Sequence, residues 1–227
     1  MKVSLGEGHR LVYCDAASEA DLHAVVRGGR ELGVRILWIG SAGLAYALAA
    51  DLSSDSDAAA ESSRCQQAPW TVPTSGIVVF FAGSDHPVTQ RQMIALREQT
   101  GAVEYALDAP LLDVTKYTGS FVVPVRRGHT TESDICSAMQ GFSPQDVSCL
   151  FMTGGDTATL VCRALGIQSL QLRDEFEPGL PRGVAAGGAF AGCTVILKSG
   201  GFGETDVLCR IARTFQPTFQ TRIEDAP

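Results

Sequence analysis

No apolar run in the sequence approaches the ~18 residues that would nominate a transmembrane helix, so no membrane span is expected. The opening MKVSLGEGHR lacks the apolar core of a signal peptide, which makes a cytoplasmic location the expectation. Paired cysteines are missing too. The seven present are Cys14, Cys65, Cys136, Cys149, Cys162, Cys193 and Cys209, an odd number with no C-x-x-C spacing. Most sit in apolar runs, so buried free thiols are expected rather than a disulfide or zinc framework. Charge is sparse, at 19% of residues, and the net value is -7. That balance argues against non-specific attachment to nucleic acid or to an anionic membrane, and no basic patch interleaved with aromatics is present. It does not exclude a local phosphate site, which backbone N–H groups and one or two cations can build. The four histidines, His9, His23, His86 and His129, lack metal-ligand spacing. Neither G-x-x-x-x-G-K-[ST] nor G-x-G-x-x-G occurs, so the common phosphate-loop and dinucleotide fingerprints are absent.

What is present is alternation. Apolar runs suited to strands cover Leu11–Ala16, Arg35–Gly40, Gly76–Gly83, Ala102–Leu107, Phe121–Arg126, Val147–Thr153, Ile167–Arg173 and Cys193–Ser199. Helical patterns fall between them, over Ser18–Gly33, Ala42–Leu52, Pro87–Thr100, Glu132–Gln140, Thr157–Leu165 and Glu204–Arg213. Pro124 suggests that its strand lies at a sheet edge. EFEPGLPRGVA reads as a loop. The expected fold is therefore α/β: one three-layer domain over residues 1–227, with a mostly parallel sheet and helices on both faces. Its core spans 11–213. Residues 53–74 contain SSDSDAAAESSRCQQAP, a polar stretch expected to be an exposed flexible insertion. Residues 216–227 are expected to be a tail.

Four of these strands run into small residues just before a helix: LWIG into SAGLA, VVFFAG into SDHPVT, LFMTGG into DTATL, and ILKSGG into FGETD. In open α/β sheets, ligands bind at this edge. Glycine lets the backbone approach a ligand closely, and the N–H groups of a helix's first turn attract anions. Any βα turn favours small residues, so one such loop is only a turn; two double-glycine loops in one chain argue for a shared site. Asp156 is suited to cap the following helix, and could alternatively hold Mg²⁺. Thr157 could offer a hydroxyl to phosphate or simply support the turn. Lys198 ends the last strand, either pairing with phosphate or laying its stem along the sheet with the ammonium in water. Ser41 is a hydroxyl donor or an N-cap. His86 stands at the ligand edge.

The ordered set WIGSAGLA, GSDHPVTQRQ, FMTGGDTA and LKSGGFGETD resembles the C-terminal, nucleotide-binding half of the four-carbon acid sugar kinases, the erythronate, threonate and 3-oxo-tetronate kinases. LVYCDAASEADL resembles the opening of that half, and EFEPGLPRG the loop before its last strand. The resemblance implies ATP binding by Ser41, by Gly154, Gly155, Asp156 and Thr157, and by Gly200, with Gly201, Lys198 and His86 as additional candidates. It implies phosphoryl transfer from ATP to a hydroxyl of a sugar acid, with Mg²⁺ assumed. The family's N-terminal substrate domain, with its ADDLTGA-like motif, finds no match here. The sugar acid is accordingly expected to be held by residues outside this chain, which alone is expected to be inactive. A homo-oligomer is compatible with these readings. The alternative is a non-catalytic nucleotide-binding or interaction module. No catalytic residue or metal ligand is assigned.

Overall fold

The computed structural model describes residues 11–54, 76–105 and 119–215. Most of the 53–74 insertion and the 216–227 tail lie outside them, as does Cys65; Ser53 and Ser54 end a helix. The chain divides into two compact units, residues 1–70 and 71–227.

In the first unit, α1 (Glu19–Arg30) begins at a capping box in which Ser18 and Asp21 satisfy each other's backbone N–H groups. It packs against α2 (Ala42–Ser54). Gly29 is buried where any Cβ would run into the Trp38 ring, which sets how closely α1 approaches the 35–40 segment. The strands expected over Leu11–Ala16 and Arg35–Gly40 do not form. An apolar strand needs ladder partners and cover on both faces, and the described residues of this unit supply neither. Leu37 and Ile39 are 85% and 78% exposed.

The second unit is a seven-stranded sheet. Its strands are β1 (Ile77–Ala82), β2 (Val103–Glu104), β3 (Ser120–Pro124), β4 (Val147–Thr153), β5 (Ser169–Glu177), β6 (Leu180–Ala186) and β7 (Thr194–Lys198), in the order β2-β3-β1-β4-β7-β6-β5. The first five in that order are parallel; β6 and β5 add an antiparallel hairpin. Its helices are α3 (Pro87–Thr100), α4 (Glu132–Met139), α5 (Gly155–Ala164) and α6 (Val207–Phe215). Side chains alternate along each strand, so β1 sends Ile77, Val79 and Phe81 to one face and Val78 and Phe80 to the other. The first face packs on Ile135 and Met139 of α4 and Val161 of α5. The second packs on Met93 and Leu96 of α3 and Leu208 and Ile211 of α6. The α/β class, the mostly parallel sheet and the helices on both faces are as expected.

Three local readings are corrected. EFEPGLPRGVA is no loop: it turns at Pro178–Gly179, with Gly179 at φ 81°, and supplies parts of β5 and β6. Pro181 fits because the register shifts beside it, between Glu175 and Glu177. Pro124 does not mark an edge strand, since β3 lies between β2 and β1. β2 covers only Phe121 and Val122, so Pro124 lies past that short ladder. The six described cysteines are free as expected, but Cys14 and Cys136 are exposed.

Candidate functional site

β1 leads into α3 on one face of the sheet, and its neighbour β4 leads into α5 on the other. Adjacent parallel strands whose following helices leave to opposite faces open a crevice at their carboxyl ends. Three of the four expected junctions meet at this edge, after β1, β4 and β7. The fourth, with Ser41, belongs to the first unit. There the Ser41 carbonyl accepts from Ala45 N at 3.2 Å, placing Ser41 at the N-cap position of α2.

The three loops touch. Gly154 N donates to the Lys198 carbonyl at 3.0 Å, extending the β4–β7 ladder one residue past the strand. A Cβ on Gly83 would collide with Thr157 Oγ1, and one on Gly200 would collide with Ser84 Oγ and lie 2.9 Å from His86 Cβ. Gly154 has φ 97°, a conformation that L side chains rarely adopt. Gly155 differs from these: apart from its chain neighbours and the backbone of its own helix, no atom lies within 4 Å of where its Cβ would be. Packing therefore explains Gly83 and Gly200, and the positive φ explains Gly154, but there is open space at Gly155, in the first turn of α5.

Asp156 is not the expected cap. Gly154 takes the N-cap position without a side-chain bond, and Asp156 falls inside the first turn, where its charge complements the helix dipole. Its carboxylate lies 3.4 Å from Arg127 Nε, with both side chains more than four-fifths exposed. Thr157 is buried at 3% exposure. Arg127 went unnoticed in the sequence. The signal available was VRRG, a basic pair directly after a strand on the ligand edge.

His86 caps α3: its Nδ1 accepts from Val88 N at 3.2 Å. A neutral ring bonded this way carries its proton on Nε2. That nitrogen would lie 3.4 Å from a Cβ on Gly201.

Lys198 does not reach water. The residue is 3% exposed, and its Nζ donates to Thr89 Oγ1 (3.2 Å), Ser199 O (3.0 Å) and Gly200 O (2.9 Å). Burial pulls its pKa down to about 8. Thr89 Oγ1 donates in turn to Gly200 O at 2.9 Å. Gln92, fully buried, directs its Nε2 at three successive carbonyls, Phe202 O (3.0 Å), Gly203 O (2.9 Å) and Glu204 O (2.9 Å). Nothing in the sequence signalled Thr89 or Gln92, because their partners lie more than a hundred residues away. The Thr153 hydroxyl, buried at the end of β4, has no hydrogen-bond partner among the described residues.

These features make a cradle of glycine backbone with a helix N-terminus on one side and a buried cation behind it. Such a cradle suits a phosphate chain. Among the described residues no cluster of three or more His, Cys, Asp or Glu is placed to hold a metal. No helix among them is long and apolar enough to cross a membrane.

A family model described as a nucleotide-binding C-terminal domain matches residues 124–208, which include the GGDT and SGGFG loops. A D-threonate kinase of Cupriavidus necator is 32% identical over 201 residues, covering 77% of this chain and 46% of that protein. A 3-oxo-tetronate kinase of Burkholderia multivorans is 25% identical over 233 residues, covering 91% of this chain and 53% of that protein. The chain thus spans about half the length of the curated relatives it matches. A crystal structure from Salmonella typhimurium LT2 has the same fold at 20% identity, with a TM-score of 0.68 over 95% of this chain and 55% of that one.

Proposed function

The chain belongs to the C-terminal, nucleotide-binding domains of the four-carbon acid sugar kinase family, and from that premise we propose that it is the ATP-binding half of such a kinase. The observation that carries the reading is the open space at Gly155, beside Gly83 and Gly200, which close packing requires, and Gly154, which its φ of 97° requires. ATP would lie with its phosphates on the backbone of Gly154, Gly155 and Gly200, with Asp156 and Thr157 completing the first turn of α5. Ser41, Gly201 and His86 remain further candidates for contact. Arg127 would bring positive charge to the outer side of the same loop.

The donor set fits Mg²⁺ bound mainly through nucleotide phosphates and water, with Asp156 as the carboxylate on the loop. Bound there, the ion would neutralise phosphate charge. In the proposed reaction the bond between the γ-phosphorus and the bridging oxygen breaks. A bond forms to a hydroxyl oxygen of a tetronate-type sugar acid, whose proton is lost, and ADP leaves. Such transfer depends mainly on positioning and charge neutralisation, which is what this half would contribute. The sugar acid would be held by a substrate domain of the kind found in the longer relatives.

Calorimetry with Mg-ADP and Mg-ATP at pH 7 tests the reading, with Gly155→Ala as the control. Alanine is a better helix former than glycine by ~0.5–1 kcal/mol, and a Cβ at 155 meets nothing within 4 Å beyond its chain neighbours and its own helix backbone. The variant should melt at or above the temperature of the parent, yet bind nucleotide about tenfold or more weakly, a loss of ~1.4 kcal/mol or more. Absence of binding heat with the parent chain at millimolar nucleotide would refute the reading. Undiminished binding by Gly155→Ala would move the site away from this loop.

A further inference from the structure

We propose that Lys198 is a positioning residue for the anion site: from behind the Ser199–Glu204 turn it draws carbonyl oxygens inward and so turns the N–H groups of the glycine loop outward, toward a bound phosphate chain. The inference rests on the nucleotide reading and concerns a residue that would itself touch no ligand.

In a trans peptide unit the N–H points away from the C=O. Two carbonyls of the turn, Ser199 O and Gly200 O, are held by Lys198. Three more, Phe202 O, Gly203 O and Glu204 O, converge on Gln92 Nε2 and share its two N–H donors. Five inward carbonyls turn the N–H groups of Gly200, Gly201, Gly203, Glu204 and Thr205 the other way. Among the described residues, no hydrogen bond uses those five donors. Successive outward N–H groups form an anion-binding concavity. Thr89 locks the arrangement, accepting from Lys198 and donating to Gly200 O.

The buried ammonium makes no ion pair among the described residues. Titratable or charged groups on the surrounding segments are Asp85 and His86 before α3, Arg91, Arg97 and Glu98 on α3, Arg126 and Arg127 after β3, Asp156 and Arg163 on α5, Glu204 and Asp206 before α6, and Arg210 and Arg213 on it. Asp156 and Asp206 are held by Arg127 and Arg210. The charge of Lys198 thus has no counter-ion among the described residues, and the outward N–H groups would place one in front of the turn. A phosphate chain placed there would keep Lys198 protonated to higher pH.

The test is calorimetry with Mg-ADP at pH 8.5, in two buffers of different ionisation enthalpy, on the full chain and on Lys198→Met. The parent should take up a fraction of a proton on binding, and its Kd should rise about tenfold between pH 7.5 and 9.5. Lys198→Met should bind about tenfold more weakly at pH 7, with no such uptake; the comparison cancels every other titrating group. Thr89→Val serves if the methionine variant does not fold. It should weaken binding several-fold while retaining the proton uptake. Binding at pH 7 without proton uptake by the parent at pH 8.5, or equal affinity in Lys198→Met, overturns the role of Lys198 alone. If the parent binds no Mg-ADP at pH 7, the nucleotide reading itself fails and this role falls with it.

Discussion

Burying a lysine without a carboxylate places a charge where solvation is poor, and the fold keeps Lys198 there nonetheless. Its three acceptors are two carbonyls and a hydroxyl, which satisfy the ammonium's donors without neutralising it. The cost appears as a pKa drawn from 10.5 to about 8. Below pH 8 both folded and unfolded chains carry the proton. Between about 8 and 10.5 the unfolded chain still holds it while the folded chain has released it, so folding stability gains with rising pH over that window. The buried thiols act in the opposite direction. Burial pushes Cys149 up, and Cys193 to about 12, so above about pH 9 the unfolded chain loses thiol protons that the folded chain keeps. Urea unfolding of the parent and Lys198→Met at pH 7.5, 9 and 10 separates the two effects, because the thiols are common to both proteins. The parent should gain on the order of 1–3 kcal/mol relative to the variant across that range. A constant difference would mean that Lys198 titrates normally.

At the level of elements, β1, β4 and β7 were readable because strands covered on both faces become near-continuous apolar runs. GIVVFF, SCLFM and TVIL are such runs, and they form the middle of the sheet. Phe80 and Phe151, on adjacent strands with ring centroids 5.3 Å apart, sit fully buried under α3 and α6. Phe80→Ala should therefore cost about 3–5 kcal/mol, read as a drop in denaturant midpoint with the slope unchanged. The β5–β6 hairpin was hidden for the opposite reason. Residues 169–177 are half-exposed and carry Arg173, Asp174, Glu175 and Glu177, so their polarity resembles a loop. What holds them is pairing with β6 and cross-strand charge, as in Arg182 with Asp174. The site divides in the same manner. Its glycine junctions were visible as local motifs, whereas the Lys198–Thr89 and Gln92–Gly203 bonds depend on the sheet order bringing the ends of β1 and β7 to either side of β4. Asp156 was misplaced because Gly154, at φ 97°, makes the turn two residues earlier.

At the scale of the whole molecule, a chain with net charge -7 would have to bind a polyanion through a local cradle, because its long-range field is repulsive. The cradle confines its attraction to backbone N–H groups, a helix N-terminus and Lys198, all within the second unit. The relatives named D-threonate and 3-oxo-tetronate kinase are about twice as long as the region they share with this chain. The division of labour proposed above then has a measurable consequence. With Mg-ATP and D-threonate, the 227-residue chain alone should release no ADP above background in a coupled assay. Adding the other half of the Cupriavidus necator D-threonate kinase as a separate polypeptide should restore turnover. Gly155→Ala should reduce that restored rate at least about tenfold at subsaturating ATP. Turnover by the chain alone would show that the acceptor site lies within it. Tight Mg-ADP binding with no turnover in either mixture, against a working full-length control, would instead favour the non-catalytic module, in which the cradle is kept and the transfer is lost.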